Sequence, residues 1–141
     1  MVALWIIGGI LLLLILCAGV WLRRKKILRA RRAAFDGEDL SPALAARFAH
    51  CVRLLEELGF DRAGGSLYAL APALDGRFGP DYASRFRRMT AVQQEAVFSS
   101  HALAPALRGE MAAFDRETTA LLQKNADFWA KLRQKWLKCL Y

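Results

Sequence analysis

Histidine and cysteine are scarce in this chain, and the few present are scattered. Two His and three Cys among 141 residues cannot assemble a metal-ligand cluster or a redox pair at any familiar spacing. There is no phosphate-binding Gly-x-x-x-x-Gly-Lys loop, no Gly-x-Gly-x-x-Gly fingerprint and no Cys-x-x-Cys pair, which removes the chemistries those motifs carry. Sustained period-two runs and hairpin dipeptides between β-branched segments are also missing, so no strand is expected. Internal repeats and low-complexity linkers are absent, which leaves one domain of roughly 100 residues as the natural unit. Residues 1 to 22 lack any charged side chain.

Charge is instead concentrated immediately afterwards. Arg23, Arg24, Lys25, Lys26, Arg29, Arg31 and Arg32 supply seven basic residues within ten positions, out of a total formal net charge of +8. From residue 36 onward, fourteen basic residues face thirteen acidic ones. The basic pI therefore describes a collar beside an apolar segment, where an anionic lipid headgroup is a nearer partner than nucleic acid.

The 21 residues from Val2 to Leu22 would form a helix about 30 Å long, the thickness of a bilayer's hydrocarbon core. Trp5 and Trp21 lie near its ends, where indole rings favour the headgroup region. A cleaved signal peptide would begin with basic residues and end in small ones, whereas this segment begins Met1-Val2-Ala3 and ends in Arg and Lys. A lipoprotein signal at Cys17 is disfavoured by Leu16 before it and the apolar run Ala18 to Leu22 after it. Basic flanks remain on the cytoplasmic side, so the expected topology is a single-pass cell-membrane protein. Its N-terminus would be outside and residues 23–141 inside. Cys51 and Cys139 would then be free thiols in a reducing compartment.

The remainder reads as helices. Residues 23–35 continue the membrane helix for some three turns until Asp36-Gly37-Glu38-Asp39 stops it. Ser41-Pro42 resembles a helix start, Leu44, Phe48, Cys51, Val52, Leu55 and Leu58 follow at helical spacing, and Gly59 provides a left-handed stop. Ser66 can cap a short helix through Phe78, which either kinks at Pro72 or begins near Ala71. Gly79-Pro80-Asp81 starts a helix whose Tyr82, Phe86, Met89, Ala96 and Val97 face a core, with Arg85, Arg87 and Arg88 outward, and Ser99-Ser100-His101 ends it. After Pro105 one uninterrupted helix is expected to Tyr141, with a seam at Leu107, Met111, Phe114, Thr118, Leu121, Asn125, Phe128 and Leu132. The predicted fold is all-α: an N-terminal transmembrane helix (1–22), a basic juxtamembrane helix and acidic turn (23–40), and a cytoplasmic bundle of about four helices (41–141).

Candidate chemistry is thin. His50 and Cys51 are adjacent, but neighbours on a helix point about 100° apart, and Cys51 reads as a small core residue. His101 reads as solvated. The acidic triplet Asp36, Glu38 and Asp39 reads as a helix terminator, and Glu56-Glu57 have no evident catalytic companion. No catalytic residue, metal ligand or cofactor site is assigned. The last turns are more distinctive: Lys131, Lys135 and Lys138 accompany an arc of Phe128, Trp129, Leu132, Trp136, Cys139 and Leu140. Such a face either lies on a membrane or partner, or packs on the domain or the stalk.

Val52-Arg53-Leu54-Leu55, Leu58-Gly59-Phe60, Gly65-Ser66 and Gln94-Glu95-Ala96-Val97-Phe98 together resemble a family. It is the cytoplasmic C-terminal domain of unknown function of bacterial multi-pass transglutaminase-like membrane proteins. The resemblance covers about residues 41–106. Leu67, Gln94 and Val97 depart from the family's Pro, Tyr and Arg. It implies a location and an architecture, and no Cys-His-Asp catalytic set is present to carry over.

The expected function is a non-catalytic interaction or scaffold protein whose cytoplasmic domain binds a membrane protein partner. Its membrane-interface residues are Trp5, Trp21 and the seven collar residues. The candidate interaction face is Phe128, Trp129, Leu132, Trp136 and Leu140. The alternatives are an accessory subunit or small enzyme at the membrane face, and a tethered nucleic-acid binder using Arg85, Arg87, Arg88 and the C-terminal helix. The near-neutral domain disfavours the last. Membrane-impermeant thiol reagents applied to intact cells should leave Cys51 and Cys139 unlabelled, and labelling of either would reverse the topology.

Overall fold

A computed structural model describes residues 1–61 and 64–141. Among them are six α-helices and no strand: α1 (Val2–Phe35), α2 (Leu40–Glu57), α3 (Ala71–Phe78), α4 (Pro80–Phe98), α5 (Ala106–Asn125) and α6 (Phe128–Leu132). A 3₁₀ turn (Leu67–Leu70) precedes α3, and a π turn (Arg133–Leu137) follows α6. These elements form two compact units: residues 1–32 with 127–141, and residues 33–126. The expected domain 41–141 is therefore divided, because its last fifteen residues belong with the long helix.

In the first unit, α1 is continuous through the collar, as its lack of Gly and Pro after Gly19 requires. By length and composition it can cross a membrane. The expected single helix from Pro105 to Tyr141 is broken. Asn125 Nδ2 donates to the Leu121 carbonyl at 2.7 Å, closing α5. Ala126 is extended, and the Asp127 carboxylate then accepts from the Ala130 amide at 2.8 Å as the N-cap of α6. The seam fails with it: Met111, Phe114, Thr118 and Leu122 are buried, but Asn125 and Phe128 are exposed.

The second unit holds α2 to α5. Asp39 rather than Ser41 stands at the start of α2, which places Pro42 within the first turn, where its missing N–H would have no helical partner. Gly59, at φ 95°, ends α2, and the Phe60 amide returns to the Leu55 carbonyl at 3.1 Å. The Ser66 hydroxyl caps the 3₁₀ turn by accepting from the Tyr68 amide, and α3 begins at Ala71 with Pro72 in its first turn. The loop expected around Ser66 includes positions 62 and 63, which lie outside the described residues.

The core follows from aromatic residues on four helices. Tyr82 stacks on Phe114 at 5.3 Å between centroids, Phe48 meets Phe86 at 5.9 Å, and Phe78 lies edge-on to Tyr82 at 5.4 Å. Thr118 donates to the Phe114 carbonyl, so the buried Tyr82 hydroxyl donates to Thr118 Oγ1 at 2.8 Å. Ala96 is half-buried and Val97 is exposed, contrary to expectation. Buried Val92 is the last α4 residue in the core.

Two arginines from this unit close helix ends within it. Arg77 Nη1 donates to the Leu58 carbonyl at 2.7 Å, while Arg108 donates to the carbonyls of Phe35 at 2.6 Å and Gly37 at 2.7 Å. Helix C-termini leave carbonyls without intrahelical partners, and a guanidinium satisfies them with the sign the helix dipole favours. Every buried residue of this unit lies at or before Leu122. A chain ended after Ala126 should therefore retain a cooperative melt by circular dichroism, and loss of that transition would show that residues 127–141 complete the core.

Candidate functional site

The collar residues are not equivalent. Positions 24, 27, 28 and 31 of α1 recur at helical spacing, and all four are half-buried while Arg23, Lys25, Lys26, Arg29 and Arg32 are exposed. Arg24 and Arg31 thus lie on one face, two turns apart. Arg24 donates through Nε to the Lys135 carbonyl at 3.1 Å and through Nη2 to the Tyr141 main-chain oxygen at 2.9 Å. Arg31 Nη1 donates to the carbonyls of Cys139 at 2.7 Å and Leu140 at 3.1 Å. The same Arg24 guanidinium covers Trp136 at 5.1 Å, a cation–π contact.

The C-terminal segment has the geometry to offer those carbonyls. The Lys138 amide returns to the Arg133 carbonyl and the Leu140 amide to the Gln134 carbonyl, which frees later acceptors from helical pairing. Cys139 adopts φ 51°, a conformation that disfavours a side chain with a Cβ. Gln134 is buried and accepts from the Tyr141 hydroxyl at 3.1 Å.

This backbone path corrects the candidate interaction face. An unbroken helix would align Phe128, Trp129, Leu132, Trp136 and Leu140, but the π turn and the left-handed Cys139 rotate the later residues out of register. Leu140 and Cys139 are buried, and Trp136 is half-covered by Arg24. Phe128 is 70% and Trp129 73% exposed, and they contact each other edge-on at 5.5 Å. Trp5 and Trp21 are exposed on α1, and Lys25 lies over the Trp21 ring at 4.8 Å.

A cleft of about 730 Å³ opens within this unit. Leu16, Cys17, Val20 and Trp21 form one wall, and Trp129, Leu132, Arg133, Trp136 and Leu137 the other. The α1 residues continue, turn by turn, the face that carries Arg24 and Arg31. That stripe was readable in the sequence as a 3–4 spacing, but seven basic residues crowded together conceal which two point to a neighbour.

A second polar cluster lies between α2 and α5. Arg47 Nε donates to Asp115 Oδ2 at 3.0 Å, His50 Nε2 lies 4.0 Å from Asp115 Oδ1, and the Thr119 hydroxyl is 3.5 Å from the same oxygen. Phe35 covers this cluster, with its ring 5.7 Å from His50 and 4.9 Å from the Arg47 guanidinium. His50 and Cys51 are both buried, rather than only Cys51 facing the core. Asp115, which the sequence did not single out, brings a thiol, an imidazole and a carboxylate into one neighbourhood. The thiol is nevertheless suppressed: burial first, and then the Asp115 charge, push Cys51 well above its ordinary value of 9.0. A nucleophilic cysteine requires the opposite shift and access to solvent, whereas Cys51 is 0% exposed.

The remaining candidates do not converge. Asp36, Glu38 and Asp39 are exposed, and no group of three potential metal ligands occurs among the described residues. His101 folds back on the Ser99 hydroxyl in a turn. Arg85 forms a two-bond pair with Glu117, and Arg88 does so with Glu110, whose carboxyl it holds below its ordinary value. Arg87 is exposed. Both Cys51 and Cys139 are fully buried, so impermeant reagents cannot report the side on which the folded chain presents them. A cysteine at exposed Gln123 serves instead.

No family model, curated protein or solved structure matches this chain.

The buried cluster should be read in stability. The variant Asp115→Ala removes a carboxylate with a charged partner and should cost about 1.5–3 kcal/mol. Above pH 9 the unfolded chain releases the Cys51 proton while the folded chain keeps it, so stability should fall as pH rises beyond that point. Urea melts at pH 7 and pH 10 check both, with Cys51→Ala expected to lessen the alkaline loss.

Proposed function

We propose that this chain is a single-pass membrane protein of the interaction or scaffold type, with its N-terminus outside and residues 23–141 in the cytoplasm. The uncharged first 21 residues of α1 and the basic collar behind them support the anchor and its direction. The observation that carries the interaction role is the exposed Phe128–Trp129 pair on a segment held by four arginine–carbonyl bonds. Large uncovered aromatics on a fixed support are the usual material of a contact surface. The partner we assign is another membrane protein. The short motifs that resemble those of the tail domain of transglutaminase-like membrane proteins direct the choice toward that multi-pass class.

Two other readings are less well supported. An enzyme acting through its thiol needs that thiol at the surface, and Cys51 is fully buried in the core. A nucleic-acid binder needs cations available to phosphates, and Arg85 and Arg88 are already engaged by carboxylates.

A photoreactive amino acid replacing Phe128, activated in intact membranes, should yield a discrete protein adduct. Arg24→Gln combined with Arg31→Gln should abolish it by releasing the segment. Recovery of lipid adducts alone would sink the partner reading, and labelling of Gln123→Cys by an impermeant reagent in intact cells would invert the topology.

A further inference from the structure

We infer that the cleft between α1 and the C-terminal segment is a binding site for one anionic phospholipid. Its acyl chain would lie against Val20, Leu132 and Leu137, and its phosphate against Arg133. This rests on the membrane-anchored reading and goes beyond it, because a general attraction of the collar to an anionic surface needs no cleft and no particular arginine.

Depth is the first argument. Leu16 to Trp21 lie in the last turns of the apolar run, which ends at Leu22 just before the collar, and at 1.5 Å per residue they cover about 8 Å. That is the depth to which an interfacial amphipathic segment sinks its apolar face, about 5–10 Å. The cleft therefore spans the boundary between acyl chains and headgroups, where Trp21, Trp129 and Trp136 supply the amphipathic rings that favour this layer.

Charge is the second. Among the described residues, Arg133 is the one charged residue lining the cleft. Its side chain is exposed and makes no hydrogen bond or ion pair with the described residues, unlike Arg24 and Arg31, whose donors are committed to carbonyls. No acidic residue among the described residues lines the walls. An apolar trough with one uncommitted guanidinium in its lining complements a molecule with a hydrocarbon chain and a phosphate, which arginine can hold through two donors. The volume of about 730 Å³ lies within the range of a single bound small molecule. A partner helix with a wholly apolar face would fill the apolar part but leave the guanidinium without a counter-charge.

The full-length protein would be reconstituted into phosphatidylcholine nanodiscs with a trace of phospholipid carrying a diazirine on its acyl chain, bearing either a phosphatidylglycerol or a phosphatidylcholine headgroup. After irradiation, peptide mapping should place the phosphatidylglycerol label on residues 16–21 and 129–137. The excess over the phosphatidylcholine probe should be about fivefold, the ratio one arginine near an anionic surface supports. Arg133→Gln should reduce labelling to the phosphatidylcholine level. Val20→Trp, which fills the cleft and keeps Arg133, should do the same if the first variant folds poorly. Equal labelling by the two probes, labels spread evenly over residues 2–22, labelling unchanged by either variant, or crosslinks to a second copy of the chain would each overturn the inference. Protein recovered outside the discs would overturn the membrane-anchored reading itself, and equal labelling within them would leave that reading standing.

Discussion

A helix end exposes carbonyl groups that its own backbone cannot satisfy, and this protein repeatedly meets that need with an arginine from another element. Arg24 and Arg31 hold four main-chain oxygens of the C-terminal segment in one unit; Arg77 and Arg108 close the ends of α2 and α1 in the other. A guanidinium suits this work because its donors lie in a fixed plane and its charge opposes the negative end of the helix dipole. The consequence for the C-terminal segment is large. Five-residue α6 and the single π turn are too short to be stable alone, so their conformation depends on being held. The exposed aromatic pair and the cleft wall exist as defined surfaces because those four bonds fix the backbone that carries them.

The same economy separates the collar into two roles. Residues turned away from the C-terminal segment remain exposed, available to set direction in a bilayer on the proposed reading. Arg24 and Arg31 instead spend their donors internally. Lys in their place would retain the charge and lose the paired donors, so charge counting alone does not describe these positions.

In the helical domain, the polar cluster around Asp115 shows how little adjacency of chemical groups says about reactivity. A thiol, an imidazole and a carboxylate meet there, yet burial and the carboxylate charge hold the thiol protonated. Arg47 balances Asp115 at the cluster's edge, and Phe35 seals it. The arrangement ties α2 to α5 across a core otherwise made of aromatic rings.

Local chemistry made much of this legible in the residues themselves. The uncharged 21-residue run, the all-helical content, the Gly59 and Gly79 boundaries, the Ser66 cap and the start of α3 near Ala71 each follow from propensities that act within a few residues. The break at Asp127 was also present as an Asn-Ala-Asp stop-and-cap signal, masked by an apolar spacing that continued across it. What required the tertiary structure was the choice of partners. Which two of seven basic residues turn inward, whether Leu140 is covered, and which carboxylate meets Cys51 depend on contacts between residues as many as 117 positions apart. Helical periodicity assigns a residue to a face only while the helix remains regular, and the π turn and left-handed Cys139 end that regularity where the candidate interaction face lies. By itself, the sequence determined the helices and the apolar span, because those depend on neighbours along the chain. The tertiary structure decided the clamp, the cleft and the silenced thiol, because those depend on neighbours in space.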